Sequence, residues 1–206
     1  MADVATEIKL APGKSLFYEG EATKYAFNVT SGTLKTYKLL PDGRRQITGF
    51  QVTGDFLGLA DRGTYVHSAE AVSATTLCRF SRDRLRELMD GFPALGHRLL
   101  EKASSELAMA HDQMVLLGRK TAREKIASFL LMLSQRANQS GHGEGSLAIE
   151  MTRTDIGDYL GLTTETVSRT FTQLKSDKIL SIGKGSEIIF LDRESLVKIA
   201  DGFANK

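Results

Sequence analysis

Residues 152–177 constrain this chain more than any other stretch. Thr152-Arg-Thr-Asp-Ile-Gly-Asp-Tyr-Leu-Gly161 reads as a short helix; Thr152 is placed to cap it and Asp155, three residues on, completes a variant of the capping box. Gly161 stands where a tight turn between helices needs it. Leu162 follows, and Thr163 is placed to cap a second helix running to about Asp177. Ile156 and Leu160 on the first helix, with Val167, Phe171 and Leu174 on the second, are spaced to form one shared core. Two short helices joined by a glycine-containing turn make a helix-turn-helix, whose second helix lies in the major groove of DNA.

The other face of that second helix is polar. Glu165, Ser168 and Arg169 stand at i, i+3 and i+4, one exposed cluster near its N-terminal end. A glutamate accepts from cytosine N4, an arginine donates twice to guanine O6 and N7, and a serine serves either edge. A carboxylate aimed at phosphates would be repelled, so a glutamate beside the arginine favours base reading. The ordinary alternative is a solvated face carrying an i, i+4 ion pair. Thr152, Arg153, Thr163 and Thr164 complete the candidate DNA contacts on the two helices. Beyond them, Ile179–Ile182 and Ile188–Leu191 form a hairpin around Gly183-Lys-Gly-Ser186, the form of a wing. Lys184 at its tip is a candidate phosphate contact, and equally a solvated turn lysine. A last helix, Asp192–Gly202, closes this part.

The first ninety residues have another texture. Glycines recur between short segments rich in β-branched and aromatic residues, among them Tyr25–Thr30, Leu34–Leu40, Gln46–Val52 and Thr75–Phe80. Pro41-Asp42-Gly43 is a turn signal. Such spacing predicts a small β-roll, closed by a short helix over Ser81–Met89. From Pro93 to Leu117 the pattern turns helical. Ala103, Leu107, Ala110, Met114 and Leu117 follow each other at spacings of 4, 3, 4 and 3, with Leu100, Ala108 and Val115 on a neighbouring face. That stripe suits a partner helix in a dimer; the plainer reading is a helix packed within its own domain. Gly118 marks an expected hinge, and Arg119–Asn138 a further helix with Ile126, Phe129, Leu130 and Leu133 turned inward. Ser140–Gly145 is a loop by composition, and Leu147–Met151 a short strand.

Charge and cysteine content narrow the options. The chain has 206 residues and a net charge of +2, with 13 basic and 11 acidic side chains in residues 119–206. Nucleic-acid binding would therefore need a local stripe, doubled by dimerisation. Cys78 is the sole cysteine, which excludes a disulfide framework and any multi-cysteine metal site built from this chain alone. No apolar run is long enough to span a bilayer, and the first residues carry no secretory signal, so a reducing cytoplasm is expected. No nucleophile–base pattern, metal motif or phosphate loop points to an enzyme.

Two stretches carry a resemblance to a known family. One is Ser31-Gly-Thr-Leu-Lys-Thr-Tyr37 with Arg45-Gln-Ile-Thr-Gly-Phe50 and Gly54-Asp55; the other runs from Met151 to Arg169. Along essentially its full length the chain resembles the CRP/FNR superfamily of bacterial transcription regulators, and within it the FNR/FixK branch. The resemblance implies an α+β fold: an N-terminal β-roll like a cyclic-nucleotide-binding jelly roll over 1–91, a long dimerisation helix over 92–118, and a C-terminal winged helix-turn-helix over 119–206. It implies a dimerisation surface of Ala103, Leu107, Ala108, Ala110, His111, Met114, Val115 and Leu117. The implied partners are double-stranded DNA, a second copy of the chain and RNA polymerase, the last touched by roll loops such as Gly58–Val66, and no membrane. The implied role is that of an activator. In the FNR branch a Glu-x-x-Ser-Arg pattern reads inverted repeats of TTGAT, and Glu165-Thr-Val-Ser168-Arg169 matches it. The cyclic-AMP branch has an arginine before the glutamate and glycine for the serine, where this chain has Thr164 and Ser168.

The sensor half departs from the family in an informative way. Cyclic-nucleotide binding needs a glutamate for the ribose and an Arg-Ser pair for the phosphate; here Leu59 and His67 stand in the first two places and only Ser68 remains. Cyclic AMP is therefore not expected as effector, nor is any cofactor. Cys78 matches the internal ligand of the oxygen-sensing iron–sulfur members, but their N-terminal cysteines have no counterpart and one thiolate cannot hold such a cluster. Two readings fit: a FixK-like regulator controlled by its own abundance, or an oxygen sensor whose N-terminal piece is missing from this sequence. A third is an effector-gated regulator with haem or another small ligand in the roll, although His67, His97, His111 and His142 have no spacing that marks a ligand pair. Iron–sulfur relatives carry acidic residues near the position of His111 that keep the apo protein apart; an uncharged histidine there permits a standing dimer.

Overall fold

The computed structural model describes residues 5–59, 63–139, 146–183 and 187–203. The chain divides into two compact units, Met1–Met109 and Ala110–Lys206. The first holds two four-stranded antiparallel sheets. One is ordered β1 (Ala5–Leu10), β8 (Thr75–Ser81), β3 (Tyr25–Ser31), β6 (Phe56–Leu57); the other β2 (Ser15–Phe17), β7 (Ser68–Ala71), β4 (Leu34–Leu39), β5 (Arg45–Gln51). Successive strands mostly alternate between the sheets, as in a jelly roll. Between them lie Phe17, Phe27, Val29, Leu34, Leu57, Tyr65 and Leu77. Phe17 and Tyr65 stack with ring centroids 3.8 Å apart. Lys35 and Glu70 face each other across β4 and β7 and pair at 2.9 Å, an ion pair inside the sheet.

The turns follow from local chemistry. Pro41-Asp42-Gly43 joins β4 and β5: Gly43 takes a φ of 85°, and its N–H donates to Leu40 O. Gly32 takes φ 81° after β3, where a Cβ would fall 2.3 Å from Ala74 O, so only glycine fits there. Ser81 caps α1 (Arg82–Gly91), its hydroxyl accepting from the Arg84 N–H. Leu85, Leu99 and Ala26 form a small second cluster with Leu59 packed against it. The four roll strands expected at 25–30, 34–40, 46–52 and 75–80 lie within a residue of β3, β4, β5 and β8.

Helix α2 (Pro93–Arg119) runs through the boundary between the units. It does not break at Gly118 as expected. The helix continues one residue further, and the break falls at Lys120–Thr121 before α3 (Ala122–Gln139). Thr121 Oγ1 accepts from the Glu124 N–H at 3.4 Å while Glu124 Oε2 accepts from the Thr121 N–H at 2.9 Å. This reciprocal cap starts α3 where the sequence already carried Thr-x-x-Glu; an in-helix glycine costs only about 1 kcal/mol, too little to end a helix with good caps beyond it.

In the second unit α3 supplies the buried Ile126, Phe129, Leu130 and Leu133. Helices α4 (Arg153–Leu160) and α5 (Thr164–Ser176) come next, then a three-stranded antiparallel sheet ordered β10 (Leu180–Ile182), β11 (Glu187–Phe190), β9 (Ser146–Ala148). β9 is shorter than the expected 147–151 strand. Helix α6 (Arg193–Ala200) is shorter than the expected 192–202 because Asp192 is its cap and Gly202, at φ 80°, lies past its end. The 140–145 loop lies outside the described residues.

One glycine controls how closely α4 fits against the start of α5. A Cβ on Gly157 would stand 2.6 Å from Leu162 O. Gly157→Ala should therefore lower stability by about 1–3 kcal/mol, the usual cost of overpacking, as read by urea unfolding. An unchanged midpoint would mean that this close approach does not hold the unit.

Candidate nucleic-acid interface

The recognition helix is held from behind and left free in front. Ile156, Leu160, Val167 and Leu174 are completely buried and Phe171 almost so, the shared core expected from their spacing. Thr152 caps α4 through the full box: its hydroxyl accepts from the Asp155 N–H at 3.0 Å, and Asp155 Oδ2 accepts from the Thr152 N–H at 3.2 Å. Gly161 ends α4 in the left-handed region at φ 64°. The Leu162 N–H then donates back to Gly157 O at 3.0 Å, a Schellman-type closure. Thr163 caps α5, accepting from the Thr166 N–H at 3.1 Å, and the Thr164 and Thr154 hydroxyls meet at 3.3 Å. The first turns of the two helices are thereby tied together.

Glu165, Ser168 and Arg169 are all exposed on one face of α5. Among the described residues neither Glu165 nor Arg169 enters an ion pair. The i, i+4 pairing of an ordinary solvated face is absent from this pair. Ser168 Oγ donates to Thr164 O at 2.9 Å and keeps its lone pairs outward. Glu165 sits in the first turn, where the helix dipole favours a carboxylate.

Arg153 is placed differently from the trio. Its Cζ lies 3.4 Å from the centroid of the Phe171 ring, and burial lowers its pKa below the ordinary arginine value. The guanidinium stays cationic at neutral pH, but it is stacked on the recognition helix instead of standing free. Lys184 lies outside the described residues.

On α2, Ala103, Leu107, Ala108, Ala110, His111, Met114 and Val115 are exposed; Leu107 is 59% and Met114 61% accessible. Leu117 is not grouped with them. It is half-buried, its Cδ2 3.4 Å from the place a Cβ on Gly161 would take. Three residues that the sequence pattern does not single out also bear on the site. Gln113 Nε2 donates to Tyr159 O at 2.8 Å, Lys125 Nζ donates to Leu160 O at 3.0 Å, and Gly157 admits the turn. A glycine inside a short helix is a visible signal; Gln113 and Lys125 carry none, since their partners are set by tertiary packing.

The roll has a small cavity beside Leu59 and His67. Leu59 packs against the Ala26–Leu85–Leu99 cluster. Ser68 Oγ already accepts from the Glu19 N–H at 3.0 Å. The cavity beside them, lined by Gln51, Phe56, Leu59, Tyr65, His67 and Glu106 among others, is about 90 Å³, whereas small-molecule sites are roughly 300–1,000 Å³. Burial lowers the His67 pKa, the nearby Lys38 ammonium adds to this, and Glu19 opposes it weakly. His67 is neutral at pH 7 and presents no guanidinium-like charge to a phosphate. Cys78 is half-buried on β8, opposite Glu7 and Asn28. Among the described residues no group of three or more His, Cys, Asp or Glu side chains is placed to hold a metal.

Comparison with known proteins covers both halves. Residues 124–199 match the Crp-like helix-turn-helix domain, and residues 7–92 match the cyclic nucleotide-binding domain. The nitrogen fixation regulation protein FixK of Bradyrhizobium diazoefficiens is 43% identical over 178 residues, 86% of this chain and 75% of that protein. The transcriptional activator protein anr of Pseudomonas aeruginosa is 38% identical over 195 residues, 94% of this chain and 80% of that protein. Among solved structures, FixK2 from Bradyrhizobium japonicum superposes with a TM-score of 0.88 at 38% identity, covering 95% of this chain and 97% of that one.

The His67 environment gives a pH signature. A histidine whose folded pKa lies below its unfolded 6.5 stabilises nothing extra above that value, and stability falls as the pH drops through 6.5 towards the folded pKa, because the unfolded chain binds the proton first. NMR titration of the His67 ring should give a midpoint below 6.5, and His67→Gln should flatten this part of the stability–pH curve. A midpoint at or above 6.5 would contradict the buried, cation-flanked setting.

Proposed function

The chain belongs to the CRP/FNR family of transcription regulators, and from that premise we propose that it acts as a homodimer on inverted repeats of TTGAT-like half-sites in double-stranded DNA, without cyclic AMP. The observation that carries this reading is the exposed Glu165–Ser168–Arg169 face, its glutamate and arginine outside any ion pair among the described residues, on a helix whose back is buried. The arginine is free to donate to guanine and the glutamate to accept from cytosine. Thr152, Thr163 and Thr164 sit at the two helix starts, where N–H groups and hydroxyls suit phosphates. Arg153 joins them from its stacked position, and Lys184, outside the described residues, is a further phosphate contact in this reading.

The dimer reading draws on the exposed apolar residues of α2 from Leu107 to Val115; a single chain gains nothing by leaving such a stripe in water. Ala103, Ala108 and Ala110 let two such helices approach closely, and His111 lies beside the seam. In this reading the protein is an activator that meets RNA polymerase in the cytoplasm through roll loops around Gly58–Val66. Among the described residues no helix is long and apolar enough to cross a membrane. The relatives are transcription regulators, and a non-enzymatic role fits them.

Independence from cyclic AMP rests on Leu59, on neutral His67 and on the small cavity between them. An effector-gated mode has one observation in its favour. A second, more open groove of about 440 Å³ lies among Leu16, Phe17, Tyr25, Phe27, Lys24 and Arg79, large enough for a small amphipathic ligand.

Gel-shift titration with no effector added should show tight binding to an inverted TTGAT repeat. Arg169→Ala should lose about 1–3 kcal/mol per half-site and keep a weak, strongly salt-dependent association. Undiminished operator preference in that variant would remove the assignment. A thermal shift with cyclic AMP should be absent; operator binding that appears only on adding a small ligand would favour the gated mode instead.

A further inference from the structure

The end of α2 has two faces with different fates. Gln113, Leu116, Leu117 and Lys120 stand at i, i+3, i+4 and i+7, so they line one side of the helix and its exit. That side is engaged within the DNA-binding unit. Gln113 Nε2 donates to Tyr159 O at 2.8 Å, Leu116 is buried, and Leu117 lies against Gly161. Lys120 Nζ donates to Ser128 Oγ at 2.8 Å and to Ala200 O at 2.9 Å. The adjacent side, with Ala110, His111 and Met114, is exposed.

The Gln113 bond is notable for where it ends. Tyr159 O belongs to the last turn of α4, where backbone carbonyls have no partner inside the helix. Gly157 O is taken by the N–H groups of Gly161 and Leu162, and Leu160 O by Lys125 of α3. The turn that launches the recognition helix is therefore held from two sides, by one side chain from α3 and one from the helix that carries the apolar stripe. The contact of Leu117 with Gly161 is non-directional and tolerates sliding. The amide–carbonyl bond is directional, and fixes the rotation of α4 about the end of α2.

We infer that Gln113 is a positioning residue that sets which operator spacing the dimer accepts. The inference rests on the proposed dimeric reading of an inverted repeat. Adding or removing one base pair between half-sites moves one of them by about 3.4 Å and turns it by about 35°. A dimer rejects such sites only if its two recognition helices are stiffly joined to the helices that pair. Gln113 supplies the directional part of that joint, once in each protomer.

The test uses the whole 206-residue chain and three operators: an inverted TTGAT repeat with half-sites one turn apart, and the same repeat with its spacer one base pair shorter or longer. Wild type should prefer the first. Gln113→Leu keeps the side-chain bulk but cannot donate; its preference for the first operator over the other two should shrink by about 3- to 10-fold, with the dimer dissociation constant by sedimentation unchanged. Gln113→Lys restores a donor and should restore most of the preference. A Leu variant that discriminates spacers as wild type does, one that loses affinity equally on all three operators, or a Lys variant as permissive as the Leu variant would each overturn the role of Gln113 alone. A wild type that binds all three alike would overturn the dimeric reading, and this inference with it.

Discussion

The close approach of α4 to the start of α5 is the constraint on which the rest depends. Gly157 has no Cβ, so the Leu162 carbonyl can lie where one would stand. Gly161 supplies the left-handed residue that lets the chain reverse there. With the helices this close, Ile156, Leu160, Val167, Phe171 and Leu174 close one core with almost no accessible surface. Burial of the back of α5 decides what its front can do. A helix fixed along one side presents Glu165, Ser168 and Arg169 at a set angle, so only their side chains, and not the backbone that carries them, remain to be ordered when they meet bases.

Each half of the chain matches its own family domain. In the helix-turn-helix half the caps and the turn are in place, and Glu165, Ser168 and Arg169 are exposed on one face. The roll packs its paired sheets around Phe17, Phe27 and Tyr65, and the cavity beside Leu59 and His67 is about 90 Å³. Leu59 is held in a hydrophobic contact with the Ala26–Leu85–Leu99 cluster. His67, depressed by burial and by Lys38, offers no charge at neutral pH. A roll of this kind still serves as a rigid base from which α2 departs, and Leu99 is buried in the cluster that anchors it.

Much of this was legible in the residues themselves, for physical reasons. Thr152, Asp155, Gly161 and Thr163 are local signals, whose partners lie within four residues, and they are found as expected. The β-branched and aromatic residues of Tyr25–Thr30 and Thr75–Phe80 likewise mark strands before any contact is known. Legibility failed where a weaker local signal was overruled or where the partner is distant. Gly118 suggested a hinge, but the Thr121–Glu124 cap set the break two residues later. Leu117 fits the heptad-like stripe by spacing, yet it packs beside Gly161, forty-odd positions away in sequence. Arg153 reads as an exposed cation until Phe171 is seen beneath it. Gln113 and Lys125 could not be singled out, because a backbone carbonyl 35 or 46 residues away leaves no trace in composition.

The central claim is that one carboxylate, one hydroxyl and one guanidinium on each of two symmetry-related helices read base edges in successive major grooves. Methylation protection of guanine N7 on an inverted repeat tests it most directly, because N7 lies on the edge that Arg169 would occupy. The predicted result is protection of a guanine in each half-site, symmetric about the centre and separated by about 34–36 Å along the duplex. Guanines that stay fully reactive in a bound complex, or protection confined to one half-site, would contradict it.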